Sequence, residues 1–259
     1  MRDADRHLLD WAVEICCAAG ALTLEWFQAE SLTVDRKGDG TPVTEADRVA
    51  ERFLRDQIAA RFPDDAIVGE EEGAGTGTSG RTWTIDPIDG TKAFTHRVPL
   101  YSNLLALDDE AGPLLGVINL PALGETVAAG RGLGCRCNEA AARVSTTASL
   151  DGAYVSTCGW DAWNDGDLLA LKASGAQLRT WGDGYGYALV ATGRIDAMID
   201  PMVAVWDLAP MPVIMAEAGG RFTAWDGNPS PAAGSGLATN GLLHDELLAM
   251  LGPDVAAVT

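Results

Sequence analysis

Basic residues are scarce in this sequence: 18 lysines and arginines stand against 37 aspartates and glutamates, for a net charge of −19. A field of that sign repels polyanions and argues against non-specific nucleic-acid binding. Histidine is scarcer still. None of His7, His96 and His244 sits in a nucleophile setting, which argues against a Ser/His triad. The five cysteines are odd in number and have no framework spacing, and Cys135 and Cys137 form only a lone Cys-x-Cys. Reduced, structural thiols are therefore expected. No run of 18 apolar residues occurs, so no membrane span is expected. The start, Met1 to Arg6, lacks the apolar core and cleavage site of a secretory signal, which predicts a cytoplasmic protein.

What is present suffices for a real core. The chain has 259 residues, 47% hydrophobic and 21% charged, enough for one large domain or two small ones. Its most informative stretch runs from Trp83 to Phe94, Trp-Thr-Ile-Asp-Pro-Ile-Asp-Gly-Thr-Lys-Ala-Phe. Trp83 to Ile85 reads as a strand that delivers Asp86 into a Pro-stiffened turn, and Asp89 follows before Gly90-Thr91. Two carboxylates so close repel unless a cation sits between them. Hard divalent cations such as Mg²⁺ take such oxygen ligands, usually together with a substrate phosphate. Gly90 permits close backbone approach, and a helix opening after it would offer free N–H groups to that phosphate. The same residues also suit an ordinary Pro-Asp-Gly surface turn.

The rest of the chain alternates periodic and punctuated segments. Three- and four-residue spacing predicts a helix from Asp3 to Glu30, followed by a Gly-rich loop or irregular hairpin over 34–43 that carries Arg36 and Lys37. Thr44 with Asp47 resembles a capping box at the start of a second amphipathic helix. A short strand, Ala66 to Val68, ends in Gly69-Glu70-Glu71-Glu72, and Gly73 to Gly80 reads as a mobile loop able to cover a cleft. Leu104–Leu107, Leu114–Asn119 and Thr126–Ala129 form an antiparallel meander. A polar stretch over 140–150 divides the chain into an N-terminal α+β part, 1–145, and a C-terminal α/β part, 146–259, where short strands and helices alternate. Near the end, Val205-Trp206-Asp207-Leu208-Ala209 precedes an apolar helix that stops at Gly219.

Taken together these pieces resemble the inositol monophosphatase family of Mg²⁺-dependent, lithium-sensitive sugar phosphatases. Asp86-Pro87-Ile88-Asp89-Gly90-Thr91 matches one family motif, and Trp206-Asp207-Leu208-Ala209 with Glu217-Ala218-Gly219-Gly220 matches the other. Gly69-Glu70-Glu71 and Thr44-Glu45-Ala46-Asp47 fall at the expected places before them. The resemblance implies a layered αβαβα fold, often a homodimer, with two or three Mg²⁺ ions, or Mn²⁺ in their place. It assigns Glu70, Asp86, the Ile88 carbonyl, Asp89 and Asp207 as metal ligands. Asp47 and Thr91, helped by Glu70, position and deprotonate the attacking water, and Asp89, Gly90 and Thr91 cradle the phosphate.

Within the family the details resemble the histidinol-phosphate phosphatase branch. Gly38 to Asp47 is similar to its opening motif, Asp89 to Phe94 and Val98 to Tyr101 to its central one, and Trp181 to Tyr187 to its substrate loop. Histidinol phosphate carries an ammonium and an imidazole, so carboxylates outside the metal cluster should hold its leaving-group end, with Asp183 and Asp200 as candidates. An inositol-1-phosphate or broad sugar phosphatase is the alternative. A non-catalytic acidic protein on the same fold would require one of Glu70, Asp86, Asp89 or Asp207 to be missing. Pro210 and Pro212 stand where a helix is implied and are expected to delay or distort it, and Met202 lies where a polar residue would suit an amine.

Overall fold

The first helical pattern folds as α1 (Arg6–Trp26), which Asp5 caps by accepting the His7 N–H. The computed structural model describes residues 4–29, 32–38 and 40–251, so the expected helix limits Asp3 and Glu30 lie outside the described residues, as does Asp39 of the Gly-rich loop. By length and composition alone α1 is apolar enough to cross a membrane. Its stripe of Leu8, Leu9, Ala12, Ile15, Cys16 and Ala19 packs instead into a protein core. The Gly-rich segment forms a hairpin, β1 (Val34–Arg36) and β2 (Pro42–Thr44), which feeds directly into α2 (Glu45–Arg61).

An eight-stranded sheet follows from β3 (Ala66–Gly69), β4 (Gly73–Ala74), β5 (Thr82–Asp89), then, after the short helix α3 (Thr91–Thr95), β6 (Ser102–Asp109), β7 (Gly112–Leu120), β8 (Glu125–Gly130), β9 (Gly134–Cys137) and β10 (Ala140–Ala141). The spatial order is β10-β9-β8-β7-β6-β5-β3-β4, and only β3 and β5 pair in parallel. Alternation along the strands sends Trp83, Ile85, Leu105, Leu107 and Val117 to the α1/α2 face and Leu104, Ile118, Leu120 and Val127 to the other.

The C-terminal portion builds a second sheet from β11 (Tyr154–Ser156), β12 (Gln177–Arg179), β13 (Ala197–Asp200), β14 (Arg221–Thr223) and β15 (Gly236–Thr239), ordered β12-β11-β13-β15-β14. Its helices are α4 (Asp165–Ala173), α5 (Asp183–Ala191), α6 (Val205–Leu208), α7 (Met211–Ala218) and α8 (His244–Met250). Helices α5 and α7 fill the space between the two sheets: Tyr187, Leu189, Met211 and Ile214 join Leu104 and Ile118 on one side and Met198, Phe222 and Ala238 on the other. Helices α4 and α8 cover the outer face through Leu171, Leu247 and Leu251 against Val155, Ile199 and Leu237. The result is five layers, helix, sheet, helix, sheet, helix, as the resemblance implied.

One local expectation changes and another is met. Residues 73–80 do not overhang the carboxylates. Ala74 pairs with Val68, the Gly75 N–H reaches the Ile67 carbonyl, and the Thr78 and Ser79 N–H groups both reach the Asp64 carbonyl. The segment therefore runs back along the sheet edge away from Glu70, because unpaired edge groups on β3 take it up. The two prolines delay the helix as expected: a short turn, α6, precedes them and α7 starts only after Pro210. Pro210 stands before the first residue of α7 and Pro212 lies in its first turn, where a missing N–H costs nothing. That break leaves Asp207 on the separate turn α6. The five cysteines are unpaired.

Candidate active site

The site forms where the C-terminal end of β5 meets the starts of two helices from the second half. Strand β5 is buried along nearly its whole length, and its pairing with β6 shifts register between Asp86 and Asp89. Pro87 offers no N–H at this bulge, and its carbonyl is taken by the Asn103 side-chain amide at 2.6 Å. The bulge sends Asp86 and Asp89 into the same space. Asp207 arrives from α6, where its Oδ2 accepts the Ala204 N–H at 3.1 Å. One carboxylate oxygen from each of Asp86, Asp89 and Asp207 lies within 4.8 Å of the other two.

Burial and mutual repulsion govern these acids. Asp86 and Asp89 are almost fully enclosed, and desolvation pushes both well above the carboxylate range, reinforced for Asp86 by Glu70, Asp89 and Asp207 and for Asp89 by Asp183 and Asp207. Asp207 is raised to about 6, again chiefly by burial. Asp89 Oδ2 accepts from the Ser102 hydroxyl and the Gly184 N–H, while Asp86 Oδ1 is buried without any hydrogen-bond partner. An orphaned carboxylate oxygen beside two further carboxylates is a donor set for a hard divalent cation.

Glu70, at the end of β3, stands beside this group rather than within it. Its charge raises the pKa of both Asp86 and Asp207, but Oε1 accepts from Lys37 Nζ at 2.6 Å. Lys37, at the turn of the hairpin, is also 2.6 Å from Glu71. The lysine is thus held by the acids of the site. Gly90 adopts φ +80°, and a Cβ there would stand 2.9 Å from Asp183 Oδ2, so the residue must be glycine on both counts. Thr91 opens α3 and donates its hydroxyl to the Ile88 carbonyl at 3.0 Å.

Asp47 both caps α2 and faces the acids. Its Oδ2 accepts from the Thr44 N–H and hydroxyl at 2.7 and 2.6 Å. Its Oδ1 is buried with no partner. Desolvation lifts it to about 7, the two Thr44 bonds oppose that, and Glu71 and Glu70 add to it. A carboxylate with that pKa is matched to proton transfer near neutrality.

Asp183 and Asp200 turn out to differ. Asp183 begins α5 in the left-handed region, φ 54°, with its N–H on Cys158 Sγ at 3.0 Å and its carboxylate against Gly90. Burial raises it to about 6, with Lys92 and the Cys158 contact pulling the other way. Asp200, 1% exposed, has both oxygens occupied from within the protein. Oδ1 takes the Cys158 N–H at 2.9 Å and the Thr157 hydroxyl at 3.4 Å, and Oδ2 takes the Tyr187 hydroxyl at 2.9 Å. It supports the turn behind Asp183. Met202 is 72% exposed.

The family model of the inositol monophosphatase family matches residues 4–255. The chain belongs to this family. Histidinol-phosphatase of Mycobacterium tuberculosis is 41% identical over 249 residues, covering 93% of this chain and 96% of that protein. Histidinol-phosphatase of Chlorobaculum parvum is 41% identical over the same length, covering 94% and 96%. Among solved structures, the Thermotoga maritima IMPase superposes with a TM-score of 0.85 at 32% identity, covering 95% of this chain and 96% of that one.

Several residues around the family motifs carry no sequence signal of their own. Ser102 reaches Asp89 only because the turn after α3 returns the chain as β6. Cys158 read as an isolated thiol, yet it ties Asp200 to Asp183. Tyr187 lay within the segment read as a substrate loop, but its hydroxyl is buried on Asp200.

Proposed function

We propose that the chain is a Mg²⁺-dependent phosphomonoesterase that hydrolyses L-histidinol phosphate to L-histidinol and phosphate, a step of histidine biosynthesis. The observation that carries the reading is the convergence of Asp86, Asp89 and Asp207 within 4.8 Å, with a buried Asp86 oxygen left unpartnered. These three, with Glu70 and the Ile88 carbonyl, would hold the two or three ions, and oxygen donors of this kind also accept Mn²⁺. When bound there, Mg²⁺ supplies positive charge to the phosphate and acidity to a coordinated water.

The protein's own groups do the rest. Gly90 and the start of α3 leave room for phosphate oxygens beside Asp89. Thr91 orients a water and Asp47, with its free Oδ1, takes its proton as the new O–P bond forms; the bond to the substrate's ester oxygen breaks, and that oxygen leaves as the alcohol on taking a proton from a second water. Asp183 faces the cationic end of histidinol, where a charge-assisted hydrogen bond favours an ammonium or imidazolium over a hydroxyl. A polyol phosphate is the competing substrate, because Asp200 is closed to ligands and Asp183 alone supplies that preference.

We further read the protein as a cytoplasmic homodimer, with residues 1–145 supplying most of the metal ligands and 146–259 supplying Asp207 and the substrate loop. The deciding test is a kinetic panel with Mg²⁺ of histidinol phosphate, inositol 1-phosphate and a nucleotide 3′-phosphate. A kcat/KM highest for histidinol phosphate supports the assignment. A preference for inositol 1-phosphate moves it to the alternative, and no turnover of any of them removes it.

A further inference from the structure

Helix α2 presents two acids one turn apart, Asp47 and Glu51, and only the first has a role in the chemistry above. Glu51 is 0% exposed. Its Oε2 accepts the Glu71 N–H at 2.7 Å, and its Oε1 accepts the Glu72 N–H at 3.0 Å together with Arg55 Nε at 2.8 Å. Arg55 in turn donates to the Gly73 carbonyl, so the pair grips the chain on both sides of the 70–72 turn. Gly69, immediately before Glu70, makes room for this contact: a Cβ there would stand 2.2 Å from Glu51 Oε1.

A buried carboxylate is costly unless it is fully hydrogen-bonded, and here the bonds go to the backbone of the segment that carries Glu70. The backbone of Glu70 has one further tie, its N–H to the Ile85 carbonyl at 3.3 Å. On its other side the Glu70 side chain meets Lys37, a long flexible cation that fixes charge but not direction. The rigid support comes from α2.

We propose that Glu51, braced by Arg55, is a positioning residue of the metal centre: it fixes the 70–72 turn so that Glu70 is presented to a cation held by Asp86, Asp89 and Asp207. This rests on the metal reading above. Groups that orient a ligand in this way generally set metal affinity by about 10–100-fold without touching the metal.

Glu51→Gln tests it at constant volume. Gln has one acceptor oxygen where Glu51 offers two, so one of the N–H groups of Glu71 and Glu72 faces the new NH₂, donor against donor. Mg²⁺ alone is titrated into metal-free protein by calorimetry, and the Mg²⁺-induced rise in melting temperature is followed in parallel. The expected result is a cooperatively folded variant whose Mg²⁺ affinity falls about tenfold or more, with KM for histidinol phosphate little changed at saturating Mg²⁺. Glu51→Asp, which keeps two acceptors, should recover part of that affinity. Should Glu51→Gln not fold, Arg55→Lys removes the brace alone and is expected to weaken Mg²⁺ binding in the same direction. A destabilised Glu51→Gln or Arg55→Lys protein that binds Mg²⁺ as wild type does would reduce Glu51 to scaffold. Wild-type protein that shows no Mg²⁺ binding at all would instead remove the metal reading itself.

Discussion

Asp86, at the end of a strand in the first sheet, and Asp207, on a helical turn of the second half, bring a carboxylate oxygen each to within 4.8 Å of the other. Burial and the neighbouring carboxylates raise both pKa values, a cost that a cation bound between them would relieve. Asp86→Asn keeps the shape and removes one charge. Its metal-free melting temperature should match or exceed wild type by about 2–4 °C, while turnover falls by about a thousandfold. Calorimetric melting with and without Mg²⁺ checks both halves of this prediction. A mutant that keeps the wild-type Mg²⁺ response would remove Asp86 from the metal centre.

Much of this arrangement was legible in the chain because it is local. Three- and four-residue spacing located α1 and α2, an apolar run stopped by Gly219 located α7, apolar runs flanking turns located β6 to β8, and Thr44 marked the start of α2 through a cap that depends on four consecutive residues. What escaped is non-local or needs special backbone. The start of α5 falls at Asp183, earlier than the apolar run beginning at Tyr185 implies, because a left-handed residue opens it. Glu70 was legible through its motif at the end of a strand, but its hold on Lys37 depends on a hairpin more than thirty positions away in the sequence. Asp200 carried the signature of an Asp-Pro turn, and nothing along the chain told that Tyr187 and Cys158 would close over it.

Asp183 is the residue to which the proposed function assigns substrate preference. Replacing it with alanine deletes the carboxylate that faces Gly90 but also removes a like charge from beside Asp89. Absolute rates will thus mix two effects, and the ratio between substrates isolates one. Asp183→Ala should lower kcat/KM for histidinol phosphate by about 10–100-fold more than for inositol 1-phosphate, the worth of one or two charge-assisted hydrogen bonds. Equal losses on the two substrates would withdraw the specificity role.

Asp200→Ala is expected to act through stability. It leaves the buried Tyr187 hydroxyl and the more exposed Cys158 N–H without an acceptor. The buried hydroxyl costs about 1–3 kcal/mol when orphaned and the Cys158 N–H less, so urea unfolding should show a loss of about 1–4 kcal/mol. Tyr187→Phe, which removes only one of these bonds, should lose less. If Asp200→Ala unfolds as wild type does yet raises KM, the residue meets the substrate after all.

His244 supplies a pH dependence far from the acids. It is 0% exposed, with Nε2 at 3.0 Å from the Thr223 hydroxyl and Nδ1 at 3.0 Å from the Thr239 hydroxyl, a neutral ring joining β14 to β15. Burial, assisted by Arg221, pulls its pKa down to about 4, with Asp245 opposing. A pKa lower in the fold than in the unfolded chain, about 6.5 there, means that unfolding takes up a proton between those limits. The His244 contribution is therefore complete above about pH 6.5 and is lost as the pH falls toward 4. Asp183 and Asp207, raised to about 6, and Asp47, raised to about 7, have the opposite sign: they stabilise at low pH and cease to do so as pH rises through those values. The two trends overlap, so the informative quantity is the difference between wild type and His244→Gln, both kept metal-free with a chelator. That difference should be constant from pH 7 to 8 and should change below pH 6.5, with a slope approaching one proton taken up on unfolding. Urea-unfolding free energies at half-unit intervals measure it, and a difference independent of pH from 4.5 to 8 would mean that the ring titrates normally in the fold.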